Sequence, residues 1–232
     1  MDAIERAQAL LDEYAAVVQA ELPEGADVFD AHTHLGTDID GMVGDLDELL
    51  DVQRRAGISR SFVFCLDEPD RHPGFRAAND RTLEYARRSG GALIPFVRLD
   101  LNEGPLEEAT RCLDRGARGI KLHPRAQRFL PDDPRLEPVF AVASERSVPI
   151  LIHGGRGLPP IADSLARLVD RFSTTLIVAH AGIVDLAALA RHFSGRSGVF
   201  FDTSVWSPLD LLDLYRLIPP EQVVYALSLI HI

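Results

Sequence analysis

Eight short β-rich runs recur along the chain, each followed by a stretch with helical character. The runs are VFDAH (residues 28–32), SFVFCL (61–66), ALIPFV (92–97), GIKLH (119–123), PILIH (149–153), TLIVAH (175–180), GVFFDT (198–203) and QVVYA (222–226). Between them lie segments such as DLDELLDVQRRAG, AANDRTLEYARRSG, PLEEATRCLDRGA and DSLARLVDRF, several closing on Gly, a common helix stop. Strict alternation of this kind implies a parallel sheet with helices outside it. Eight runs at a spacing of roughly 30 residues match an α/β fold of the (β/α)8 TIM-barrel type, which typically takes about 250 residues. The alternative, a doubly wound sheet, would carry a Gly-rich GxGxxG loop after its first strand. Here the first run leads into HTHLG instead.

Composition narrows the function. The chain has 232 residues, 46% of them hydrophobic, enough for one large core, so residues 1–232 are expected to form a single barrel domain. The net charge is −11 with no basic run, which makes nucleic acid and anionic membranes poor partners and points to a small-molecule substrate. No apolar run reaches the roughly 18 residues of a membrane helix. The N-terminus, MDAIERAQALLDEYAAVVQAELP, is acidic and lacks the basic start of a signal peptide. Its residues Ile4, Leu11, Tyr14 and Val18 recur at helical spacing, predicting an amphipathic helix within residues 1–24 that lies on the domain. Two cysteines, Cys65 and Cys112, make no disulfide framework and fit a reducing cytoplasm. Cys65, inside an apolar run, reads as core. The oligomeric state is left open, a homo-oligomer included.

In a barrel the chemistry sits at the C-terminal ends of the strands. Five of the eight histidines fall there: His32, His34, His123, His153 and His180. His72, His192 and His231 lie elsewhere. Side chains alternate along a strand with period two, so His32 and His34 point the same way, into the barrel mouth. Two imidazoles aimed at one spot can share a metal at about 2.0–2.1 Å each, with His153 supplying a third nitrogen. Three protein ligands with an open position characterise a catalytic rather than a structural metal site. His180, one strand further on, is placed to serve as general acid or base.

The other mouth residues admit more than one reading each. A lone strand-end His is more often hydrogen-bonded structure than ligand, and His123, preceding Pro124, is equally suited to closing its strand. Lys121 and His123 share a face; Lys121 reads first as a binder of a substrate carboxylate, then as a carbamylated bridging ligand or a barrel-lining cation. Asp202 is either the partner orienting a ligand His or a plain strand-end acceptor. Arg156, in the HGGRG loop, is as well explained as a solvated loop residue as by clamping an anionic substrate group.

Taken in order, DAHTHLG, GIKLHP, ILIHGG, LIVAHAG and FFDTS resemble the amidohydrolase superfamily, in particular the mononuclear hydrolase and decarboxylase branch that includes aminocarboxymuconate-semialdehyde decarboxylase. The resemblance covers about residues 27–226. It implies that His32, His34 and His153 bind one divalent ion, zinc first, with manganese or iron as alternatives. It also implies that His180 handles protons or orients substrate; Lys121, His123 and Arg156 are the candidate substrate contacts on the residue readings above. Such enzymes also carry an Asp at the end of strand eight that binds metal. Here strand eight runs EQVVYA into LSLIHI without one. That makes the chain read as a barrel truncated near the end of strand eight and itself inactive. LSLIHI is the translation of CTG-TCT-CTT-ATA-CAC-ATC, a transposon end used in library construction, so residues 227–232 are expected to be a non-native tail, with an ordinary strand ending as the alternative.

The favoured expectation for the full-length enzyme is therefore a metal-dependent hydrolase of a small polar, carboxylate-bearing substrate acting through metal-activated water. A metal-dependent decarboxylase is the alternative within the superfamily, and a catalytically inactive barrel, if the C-terminus is genuine, is the alternative outside enzymes.

Overall fold

The computed structural model describes residues 2–205 and 207–228. Each β-rich run becomes a strand. β1 (Val28–Thr37) is followed by a short β2 (Val43–Gly44), then β3 (Ile58–Cys65), β4 (Leu93–Arg98), β5 (Gly119–Leu122), β6 (Ile150–His153), β7 (Leu176–Ala179), β8 (Val199–Asp202) and β9 (Val223–Val224). The sheet order is β2-β1-β3-β4-β5-β6-β7-β8-β9, with every neighbouring pair parallel except β1 and β2. The chain after β9 turns back to β1: Ala31 N donates to Tyr225 O (2.9 Å) and Ser228 N to His32 O (2.8 Å). These bonds bring the ends of the curled sheet together, as a (β/α)8 barrel requires.

β1 runs further than its apolar start suggested. It continues through both histidines to Thr37 because the antiparallel β2 pairs with its end, Gly36 opposite Gly44 and Thr37 opposite Val43. The HTH segment therefore lies within a strand, where period two holds it in register.

Helices cover the outside of the sheet. Those flanking the strands include α2 (Leu46–Arg55), α3 (Arg76–Arg88), α4 (Pro105–Asp114), α6 (Leu136–Glu145), α7 (Ala162–Phe172), α8 (Leu186–Phe193) and α9 (Pro208–Leu217), with a one-turn α5 (Pro124–Gln127) after β5. α2 shows why the segment is helical. Asp45 caps Asp47 N (2.9 Å) and Glu48 N (3.1 Å), acids fill its first turn, and Arg54 and Arg55 close the last. Leu165, Leu168 and Val169 on α7 recur on one face and join the outer core between helices and sheet, with Val97, Ile120, Ile150 and Val178. A second cluster fills the barrel itself: Phe64, Phe96, Leu151, Ile177 and Ala179. Phe96 lies over Gly119 so closely that a Cβ there would overlap its ring, which is why β5 begins with the smallest residue.

The N-terminal segment forms α1 (Ala3–Glu21), started by a capping box between Asp2 and Glu5. It does not lie on the domain as expected: none of its residues is buried, and Ile4, Leu11, Tyr14 and Val18 are 59–80% exposed. Helical spacing dictated the helix, but these four apolar residues stay more than half exposed. At the other end, Leu227 and Ser228 bond to β1, Leu227 N donating to Asp30 Oδ1 at 3.2 Å. Residues 229–232 of the expected tail, with His231, lie outside the described residues.

Candidate metal centre

His32 and His34 do face the same way. Their Nε2 atoms are 3.2 Å apart, and both side chains are buried at the inner end of β1. Two nitrogens on one tetrahedral ion at about 2.0–2.1 Å would lie about 3.3–3.4 Å apart. The tautomer of His32 is fixed from β8, next but one to β1 around the closed sheet. Its Nδ1 is 2.7 Å from Asp202 Oδ2 on β8, and a carboxylate can only accept, so Nδ1 carries the proton and Nε2 keeps its lone pair.

Asp202 is itself held by Ser204 and by His180. Its Oδ1 accepts from Ser204 Oγ (2.6 Å), Ser204 N (3.1 Å) and His180 N (2.6 Å). Ser204 O in turn accepts from His180 Nδ1 at 2.7 Å, which leaves the His180 Nε2 lone pair for other work. His180 and Ala181 both have positive φ (56° and 55°), so the backbone leaves β7 in a sharp turn at this histidine. Ser204 went unnoticed in the sequence; its signal was its place two residues after Asp202 in FFDTS.

His153, at the end of β6, has both ring nitrogens buried with no hydrogen-bond partner among the described residues. Its ring stacks on His123 (centroids 4.0 Å, 14°) and meets His180 edge-on at 4.7 Å. Gly155 makes this packing feasible: a Cβ there would come within 2.9 Å of His153 Cε1 and 3.1 Å of His180 Cδ2. The structure thus pairs His32 with His34 but sets His153 apart. The ligand atoms of these three do not all lie within 4.8 Å of one another. Among the described residues that proximity is met by His72, Asp100 and Glu103, on the loops after β3 and β4.

Lys121, fully buried on β5, brings Nζ to 3.4 Å from His32 Nε2 and 4.4 Å above the Phe64 ring. Burial pulls its pKa down to about 7, so near neutrality the amine is substantially uncharged. His123 caps α5, its Nδ1 accepting from Ala126 N (3.2 Å), while its ring packs on His153. The capping bond bears on the strand-closing role of His123. Arg156 points away: its side chain is 74% exposed and bonds Asp210 at 3.3 Å.

Burial, ahead of all other causes, pushes the pKa of His32, His34, His123, His153 and His180 down, that of His153 to about 2. Neutral imidazole is the form that ligates a metal. The donor set thus fits a divalent ion by its neutrality, by the His32–His34 separation and by the unpartnered nitrogens of His34 (Nδ1) and His153. A hydrogen bond from His34 to the same His32 lone pair also gives that separation, but it leaves those nitrogens unsatisfied.

The family model described as amidohydrolase matches residues 29–228. A search of the curated proteins finds no match. Among solved structures, one similar chain is a probable 2-pyrone-4,6-dicarboxylic acid hydrolase from Acinetobacter baumannii with citric acid bound. It is 10% identical with a TM-score of 0.65, over 88% of this chain and 84% of that one. Another is 4-oxalomesaconate hydratase from Rhodopseudomonas palustris, 16% identical with a TM-score of 0.62, over 88% and 82%. A third, IDCase from Metarhizium anisopliae, is also 16% identical with a TM-score of 0.62, over 88% and 84%. These likenesses concern the fold. No helix among the described residues is long and apolar enough to cross a membrane.

Proposed function

The chain belongs to the amidohydrolase family, and on that premise we propose that it is a metal-dependent hydrolase of a small, polar, carboxylate-bearing substrate, acting through metal-activated water. The observation that carries this reading is the 3.2 Å approach of the His32 and His34 Nε2 atoms, with the His32 lone pair aimed there by Asp202. His32 and His34 would hold the ion, zinc being the first choice of metal, and His153 would complete the set as third ligand by a shift of its ring toward the pair. When bound, a divalent ion supplies Lewis acidity and lowers the pKa of a water ligand to about 7.

The protein's own groups account for the rest. Asp202 keeps the His32 Nδ1 proton in place and offsets positive charge at the imidazole pair. His180, its Nδ1–H fixed on Ser204 O, presents Nε2 to take or return a proton. Lys121, poised near pH 7, exchanges a proton or meets an anionic group at the edge of the pair. The buried inner face excludes bulk water and strengthens each of these interactions. An acid substrate is supported by two neighbours in fold, one described as a hydrolase of a dicarboxylic acid and holding citric acid, the other as a hydratase named for 4-oxalomesaconate.

The test is metal analysis of the purified protein beside His32→Ala, with hydrolysis of a panel of carboxylate-bearing lactones, esters and amides. Bound metal near one equivalent, lost in His32→Ala, and turnover abolished by chelation and restored by zinc would support the reading. Equal metal content in the two proteins would overturn it.

A further inference from the structure

None of the residues of α1 is buried, although the helix carries a full apolar stripe: Ile4, Leu10, Leu11, Tyr14, Val17 and Val18 are each more than half exposed. A helix of 19 residues is only marginally stable by itself in water, and helices in proteins owe most of their stability to whatever covers the apolar face. The barrel does not supply that cover. A Cβ at Gly57, just before β3, would meet Gln19 Nε2 at 3.6 Å, so α1 approaches the domain there with a polar side chain.

The apolar positions have a period of their own. Ile4, Ala7, Leu11, Tyr14 and Val18 follow one another in alternating steps of three and four, the spacing that keeps a seam turned toward another helix. Leu10 and Val17 widen the stripe on one side and Ala15 on the other, while Glu5, Arg6, Asp12 and Glu13 fall on the opposite face. This distribution selects the occupant. A polar face with three acids and one base repels anionic lipid, whereas helices that lie on membranes are basic there. A basic partner helix would need acids beside the seam, where Leu10, Ala15 and Val17 stand instead. An identical helix needs neither. The chain carries a net charge of −11, but an uncharged seam lets two copies meet without setting like charges against each other.

We propose that α1 is a self-association surface that pairs antiparallel with α1 of a second copy, about a two-fold axis at Leu11. In that register Leu11 packs on Leu11 of the second copy and Ile4 on its Val18. Tyr14 lies over its Ala7, so the largest side chain of the seam meets the smallest. Parallel pairing would set Tyr14 against Tyr14 and leave Ala7 opposite Ala7. The six exposed side chains amount to on the order of 500 Å² per copy. Two copies together bury about 1,000 Å², the size at which specific interfaces begin, so the dimer is a weak one that forms as concentration rises. The pairing is independent of the hydrolase reading above.

The experiment is sedimentation velocity of the purified full chain over a wide range of concentration. Wild type is expected to pass from monomer to dimer. Leu11→Glu, which sets two carboxylates against each other on the axis, should weaken the dimer at least about tenfold. Removing residues 2–22 should abolish it, and Glu13→Gln, on the polar face, should dimerise as wild type. The direction is read by oxidation: Ile4→Cys and Val18→Cys should crosslink when mixed and much less when kept apart, Cys65 and Cys112 being buried. A wild type that stays monomeric at every concentration overturns the proposal, whether its own domain, lipid or another protein then covers the helix. A dimer of equal affinity in Leu11→Glu, or in the protein lacking residues 2–22, overturns it too, as does crosslinking of Ile4→Cys alone in preference to the mixture. If the shortened chain does not fold, Leu11→Glu and the crosslinks decide by the same criteria.

Discussion

His32 Nδ1 and Asp202 Oδ2 are 2.7 Å apart across the barrel although 170 residues separate them in the chain, and both are buried. The carboxylate has no other way to serve this imidazole than as acceptor, so it dictates which His32 nitrogen is free. Asp202→Ala should therefore lower metal affinity by roughly 10–100-fold, the usual effect of removing a partner that orients a ligand histidine. Competition with a chelator of known affinity measures it. Affinity equal to wild type would show that His32 is oriented by something else.

Gly155 is pressed against two imidazoles, and a methyl group at that position would sit 2.9 Å from His153 Cε1 and 3.1 Å from His180 Cδ2. Gly155→Ala should displace the His153 ring from its stack on His123. We expect reduced metal content and activity with a stability loss of about 1–3 kcal/mol, typical of overpacking. Metal analysis and chemical denaturation check this; the same change at Gly195, where a Cβ meets nothing within 4 Å, tests positive φ (77°) without crowding.

The buried imidazoles make the metal-free protein sensitive to acid. An unfolded histidine takes up a proton near pH 6.5, whereas His153 in the folded protein resists protonation until about pH 2, and the pKa values of His32, His34, His123 and His180 are also lowered by burial. Below about 6.5 the unfolded state binds more protons, so stability present above that pH is lost as pH falls, by up to about 1.4 kcal/mol per pH unit for each such group. Asp30 acts in the opposite sense between 3.8 and about 6, where the folded carboxyl holds its proton, and offsets one histidine over that window. Urea denaturation of chelator-treated protein at pH 7.5 and 6.0 should show a marked drop at the lower pH. A flat profile would mean that these rings take up protons in the fold.

α1 contributes little to the stability of the barrel, since none of its residues is buried. Removing residues 2–22 should leave the melting temperature within about 2 °C, by the rule that a ~1 kcal/mol change moves a domain of this size by about 2–4 °C. By contrast Phe96→Ala, which empties the centre of the inner cluster, should cost about 3–5 kcal/mol. A melting temperature that falls sharply on removing α1 would mean that the helix has a partner on the domain.

The chain's own pattern determined the architecture. Alternating β-rich and helical stretches leave few ways to bury both sheet faces, and every run read as a strand became one in the order expected. Period two placed His32 and His34 on one face without any tertiary information, because alternation is a local property of extended backbone. Local pattern also predicted the helix α1, but not whether anything would cover it, since burial depends on the rest of the fold. The same limit explains the site. That Asp202 reaches His32, that Ser204 holds both Asp202 and His180, and that Arg98 stands in register with Lys121 all depend on strands that are distant in sequence and adjacent only once the sheet curls. Arg156, in a Gly-rich loop, read equally as a solvated loop residue and as a clamp for an anionic group; it lies exposed and turns to Asp210, a direction that its nearest charge and solvent set. His153 shows the division within one residue. Its strand end and its neighbour Gly155 were legible, but its stack on His123 was decided by how closely two strands pack.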